Sequence, residues 1–156
     1  MAQAGISTLG VTFGYGIEGE VGVKPLAFTQ LNRINNIAGI TLDTEQIDAS
    51  ALEDLATRYV AGRQDSGGSW TVTVNFTEET QTEWASLIEA YNSAKTSGKR
   101  VWFETVVPGL NNAFFVVAQP PQVIPFPEIG QNGLLTVDVV LSIEEYKGMD
   151  AKVAFS

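Results

Sequence analysis

The chain has 156 residues, 44% of them apolar, which is enough for one ordinary domain that buries most of its apolar surface and too few to expect two. Lys plus Arg number 9 against 18 for Asp plus Glu, a net charge of -9, which disfavours any surface built to grip nucleic-acid phosphates, because such binding needs neutralising cations. With no Cys and no His there is no disulfide framework, no thiolate metal site and no imidazole base; the first cation is Lys24, so no secretory signal is expected, and no apolar run approaches the ~20 residues of a membrane anchor.

Residues 1–35 are rich in Gly, Thr and Asn and carry no sustained period, which predicts an N-terminal arm with short strands and a flexible glycine-rich loop. Residues 36–44 and 45–49 read as two short strands meeting near Asp43-Thr44. Ser50 to Leu55 reads as a loop. Thr57 to Ala61 reads as a strand ending at Gly62, and Gln64-Asp65-Ser66-Gly67-Gly68 is turn chemistry that predicts a hairpin with the next strand. That strand, Ser69 to Phe76, alternates Trp70, Val72, Val74 and Phe76 against Ser69, Thr71, Thr73 and Asn75, the period of a half-buried strand.

Trp84, Leu87, Ile88 and Tyr91 then fall at i, i+3, i+4 and i+7, one apolar stripe of an amphipathic helix over 78–97. Thr77 is its expected cap, Thr80 with Glu83 offers a capping box one turn later, and Gly98 supplies a left-handed exit. Val101 to Val107, Ala113 to Gln119 and Leu134 to Ile143 read as strands, and the Pro-rich stretch from Pro120 to Gly133 reads as a loop. In the last strand, apolar Leu134 and Val140 on the second face predict partial cover there as well.

Several patterns imitate sites. Asp65-Ser66-Gly67-Gly68 looks like the surroundings of a protease nucleophile, but a Ser hydroxyl needs a base and the chain has no His. Gly14-x-Gly16-x-x-Gly19 has dinucleotide-fingerprint spacing, yet Glu20, Gly22 and Pro25 follow where a helix N-terminus must receive the pyrophosphate. Asp43, Glu45 and Asp48 lack the Gly and terminal Glu of a calcium loop, so a solvated edge is the better reading. Trp70, Trp84 and Trp102 are expected in the core rather than as a stacking platform. No catalytic residue, metal or cofactor is assigned, and an enzyme is not expected.

The segments Ile47-Asp48-Ala49-Ser50, Tyr59-Val60-Ala61-Gly62-Arg63-Gln64-Asp65-Ser66-Gly67, the helix from Glu78 to Ser97, the strand from Lys99 to Val107 and Leu134 to Tyr146 with Gly148 together resemble the major tail tube proteins of long-tailed, siphovirus-like bacteriophages. The resemblance covers roughly residues 36–150 and implies a mainly β protein, a β-sandwich or barrel flanked by one α-helix. It also implies a non-enzymatic virion protein, made in the bacterial host cytoplasm and assembled as homohexameric rings stacked into the tail tube. The implied partners are the protein itself, the tape-measure protein in the lumen, and the tail terminator and distal tail proteins, with DNA passing through unbound. In such a family the loop between the two strands flanking residues 48–58 reaches the next ring. That assigns Asp48, Leu52, Glu53, Asp54, Leu55 and Arg58 as inter-ring stacking candidates, with Leu52 and Leu55 docking and the charged residues setting register. The alternatives are a tube subunit of a contractile tail or type VI secretion system, and a carbohydrate-binding β-sandwich using Trp or Tyr as platforms.

Overall fold

The computed structural model describes residues 5, 9–40, 43–48, 59–65, 68–131 and 133–155. Among them are nine strands and one helix: β1 (Thr12–Ile17), β2 (Thr29–Leu31), β3 (Ile34–Ile37), β4 (Asp43–Asp48), β5 (Tyr59–Asp65), β6 (Ser69–Asn75), α1 (Glu78–Lys95), β7 (Val101–Val106), β8 (Asn112–Gln119) and β9 (Thr136–Ala151). Seven strands form one antiparallel sheet in the order β2-β1-β7-β8-β9-β6-β3, and β4 pairs with β5 in a separate two-stranded ladder. The protein is therefore mainly β with a single helix among the described residues.

The sheet does not stay open. Its two outermost strands, β2 and β3, are joined by Asn32 and Arg33 alone, a link that spans at most ~10 Å. Four inter-strand steps separate β1 from β6, about 19 Å in a flat sheet, yet the Phe13 ring of β1 meets the Trp70 ring of β6 edge-on at 5.7 Å between centroids. The sheet has rolled until its walls touch across a common core, leaving a seam between β2 and β3. At that seam Arg33 has φ 60, and its carbonyl accepts the Asn75 N–H at 2.9 Å. The Asn32 backbone N–H and side-chain amide both donate to the Glu83 carboxylate, at 3.1 and 2.6 Å. The helix thus fastens the turn that closes the barrel.

The main core holds Phe13, Leu31, Trp70, Val72, Val74, Val101, Phe103, Val137, Val139 and Leu141 from the strands, with Trp84, Leu87 and Tyr91 from the helix. A second cluster, Phe28, Trp102, Ala113, Phe115 and Val117, lies on the outer face of β7 and β8, where Val153 and Phe155 cover it. Phe28 and Phe155 form a parallel bridge there. One sheet wall is therefore buried on both faces, which explains the near-continuous burial along Val101 to Glu104 and Phe115 to Ala118.

Several sequence expectations are corrected. Gly14-Tyr15-Gly16-Ile17 is not a flexible loop but the body of β1, paired with both β2 and β7. The glycines are required by close approach: a Cβ at Gly14 would lie 2.3 Å from the Phe155 ring, and one at Gly16 2.6 Å from the Ala27 carbonyl oxygen. Asp43-Thr44 is not the meeting point of two strands but the start of β4, and the preceding strand, β3, runs from Ile34 to Ile37. β5 runs through Gly62 to Asp65 and pairs with β4, while β6 pairs with β3 and β9. The expected hairpin across Gln64 to Gly68 is therefore absent from the described pairing, although Gly68 does have φ 78. The helix N-terminus is closed by Thr77 and Thr80, whose side chains each bond the other's backbone N–H. Glu83 is spent on Asn32 and closes no capping box with Thr80. β9 pairs with β6 from Thr136 to Ser142 and continues eight residues past Ile143 alongside β8. Leu134 and Val140, expected to be partly covered, are 70% and 51% exposed.

Candidate functional site

Two carboxylates are buried among the described residues. Glu18, just past the end of β1, is buried and accepts the Arg100 backbone N–H and the Trp102 indole N–H, each at 2.8 Å. The Arg100 guanidinium lies 3.4 Å from the same carboxylate and 3.3 Å from Glu145. Burial alone pushes the Glu18 carboxyl upward, but the Trp102 and backbone hydrogen bonds and the Arg100 charge outweigh it and hold the pKa below the ordinary carboxylate value. Glu18 therefore joins the end of β1 to the start of β7 and, through Arg100, to β9. It is a structural clamp. Glu104, on β7, is also buried; its Oε2 accepts the Val153 N–H at 2.9 Å while its Oε1 has no partner among the described residues. Burial raises its pKa despite Val153, Lys24 and Lys152. Among the described residues no group of three His, Cys, Asp or Glu side chains is placed to hold a metal. Trp70, Trp84 and Trp102 are all buried, with Trp70 Nε1 bonded to the Ala38 carbonyl at 2.7 Å, so none offers a stacking face to a sugar.

On the outer face of β6 and β9, Ser69, Thr71, Thr73 and Asn75 lie beside Ser142, Val140, Asp138 and Thr136 in register. Thr73 donates to the Asp138 carboxylate at 2.8 Å. These eight residues carry five hydroxyls, one amide, one carboxylate and the exposed Val140, and no cation. The outer edges of β2 and β3 have no ladder partner among the described residues; they meet at the seam that Asn32 and Arg33 close.

Apolar side chains gather at two further places. In the segment between β8 and β9, Val123, Phe126, Ile129 and Leu134 are 69% to 87% exposed. Its Pro121, Ile124 and Pro125 line one small cavity with Trp84 and Ile88 of the helix and with Val137 and Val139, and Glu128 bridges to Thr136. Between β1 and β2, Val21, Val23 and Leu26 are 63%, 49% and 95% exposed. This segment is held by Lys24, whose Nζ donates to the Ala151 carbonyl at 2.8 Å and sits 4.2 Å from the Phe115 ring centroid.

Of the residues singled out in the sequence, Asp48 ends β4 opposite Tyr59. Leu52, Glu53, Asp54, Leu55 and Arg58 lie outside the described residues. Trp84, Leu87, Ile88 and Tyr91 are buried on one face of α1. The sequence reading missed the Glu18 and Arg100 clamp, which carries no motif because its partners lie 82 residues apart. It also missed the apolar loop between β8 and β9, whose signal was available: four large apolar residues in a Pro-rich segment with no period to bury them.

No family model matches this chain, and no curated protein does. Among solved structures it is similar to a chain of the tail of an empty GTA particle, computed with helical refinement and C6 symmetry. The TM-score is 0.54 at 13% identity, covering 91% of this chain and 95% of that chain. It is also matched by a chain of the six-fold symmetrised baseplate of the anti-feeding prophage, with TM-score 0.48 at 13% identity over 97% and 98% of the two chains. The chain shares the fold of the GTA tail chain along nearly its whole length.

Proposed function

We propose that this chain is a structural virion protein, the subunit of a phage tail tube of the non-contractile kind, which forms six-membered rings that stack into the conduit for genome ejection. The observation that carries the reading is a fold coextensive with that of a chain from a C6 tail. The surface agrees with that role. A protein of net charge -9, with a hydroxyl-rich sheet wall that carries no cation, repels phosphates and lets DNA pass without adhering. In this reading the tape-measure protein occupies the lumen during assembly, and the tail terminator and distal tail proteins close the two ends.

The ladder of β4 and β5 is the proposed inter-ring element. It is hydrogen-bonded outside the seven-stranded sheet, with Asp48 ending β4 opposite Tyr59 of β5, and of the residues that follow Asp48 in sequence we assign Leu52, Glu53, Asp54, Leu55 and Arg58 as the stacking contacts. The test is sedimentation of the purified chain over rising concentration. Growth of large particles above a threshold concentration supports the tube reading. A chain that stays monomeric throughout and binds immobilised glycans would replace it with a carbohydrate-binding module.

A further inference from the structure

A ring closes through a heterologous contact: one patch of each subunit must meet a different patch of the next, and a patch that meets its own copy gives a two-fold dimer instead. Two exposed apolar patches on this chain meet that requirement. The first is Val123, Phe126, Ile129 and Leu134, made contiguous by the Glu128 to Thr136 bridge and backed by the helix and by the β6 and β9 wall. The second is Val21, Val23 and Leu26, in the segment where Pro25 approaches Gly16 and Lys24 reaches Phe115. The first segment lies on the helix side of the sheet, where Pro121, Ile124 and Pro125 share a cavity with the core-facing Val74, Val137 and Val139, whereas the second lies on the outer face of β7 and β8 beside Phe115, so the two patches belong to different faces of the sheet.

Size argues for a protein partner. The first patch exposes on the order of 500 Å² of apolar side chain, at the upper end of what a monomer leaves uncovered, and is a substantial part of the ~800 Å² each partner contributes to a standard interface. Preorganisation argues likewise: prolines, the helix contact and the bridge hold the loop before any partner arrives, so little ordering cost remains. We infer that the Val123, Phe126, Ile129 and Leu134 patch receives the Val21, Val23 and Leu26 segment of a second copy, and that this is the lateral joint within the ring. The inference rests on the ring reading proposed above but is tested separately from it.

Two full-length variants provide the test. Phe126→Ser with Ile129→Ser removes the first patch, and Val21→Ser with Leu26→Ser removes the second. All four side chains are solvent-exposed in the subunit, so thermal melts of both variants should match the parent. Each variant alone should need a concentration roughly a hundredfold higher or more to associate. An equimolar mixture retains one intact joint per pair, and in sedimentation velocity it should form one-to-one dimers and nothing larger. Association of either variant alone at parental concentration, or a mixture that stays monomeric, overturns the inference. A loop variant that still makes tubes leaves the tube reading standing and the patch assignment refuted. A mixture that dimerises although the parent never makes rings supports the joint and refutes the tube.

Discussion

At the scale of single residues, Glu18 and Glu104 show how burial and hydrogen bonding divide two carboxylates on neighbouring strands. Glu18 has charged and neutral donors converging on it, so its folded pKa is lowered and its contribution is present at neutral pH and lost as pH falls through and below the carboxylate range. Glu18→Gln is therefore expected to cost roughly 3 kcal/mol at pH 7, with the cost shrinking below about pH 4, read from denaturant melts at several pH values. A cost independent of pH would mean that the charge is irrelevant. Glu104 is the opposite case: burial raises its pKa, so ionising it weakens the fold as pH rises through and above the ordinary carboxylate value. Glu104→Gln should raise the melting temperature more at pH 7.5 than at pH 4.5, the gain at the higher pH being about 1 kcal/mol. Neither role was legible in the sequence, because both depend on contacts between distant segments: Glu18 with Arg100, and Glu104 with Val153.

At the scale of elements, local chemistry was readable where local chemistry decides. The helix is fixed by its apolar stripe, its Thr77 cap and Gly98, which has φ 73. The alternation in β6 and β9 places Trp70, Val72, Val74, Val137, Val139 and Leu141 in the core. Pairing was not readable in the same way. The turn residues 64–68 announced a reversal, but β6 takes β9 and β3 as neighbours and β5 takes β4, because long-range burial of an apolar face outweighs a local turn preference. β1 was missed because Gly14 and Gly16 look like loop residues, when their small size is what lets Phe155, Phe28 and the Thr29 carbonyl approach. Two predictions belong here. Leu87, fully buried against the barrel, should lose about 2 to 5 kcal/mol as Leu87→Ala, and a loss below about 1 kcal/mol in denaturant melts would place that face against a partner instead. Replacing residues 51–56 with a Gly-Ser linker should leave the monomer melt nearly unchanged, since loops tolerate such exchange at small entropic cost, yet stop tube elongation. Tubes of normal length and repeat in electron micrographs of that variant would remove residues 51–56 from the inter-ring contact.

At the scale of the whole molecule, the rolled sheet explains why a short helix can organise a β protein. β2 and β3 are forced together by the Asn32 and Arg33 link, and Glu83 pins that link, so closure, core and helix form one cooperative object. Outside the core the described residues leave a hydroxyl-rich wall without cations, two exposed apolar patches and a separate two-stranded ladder. In the tube reading proposed above these serve as lumen, lateral joint and ring-to-ring contact. The hydroxyls of the wall were legible in the alternation of β6, whereas the patches emerge from exposure, which no periodicity encodes. The measurement that tests the account most directly is cryo-electron microscopy of the purified chain at high concentration. Stacked rings with six subunits each are the predicted result, and monodisperse single subunits or particles without six-fold symmetry would contradict it.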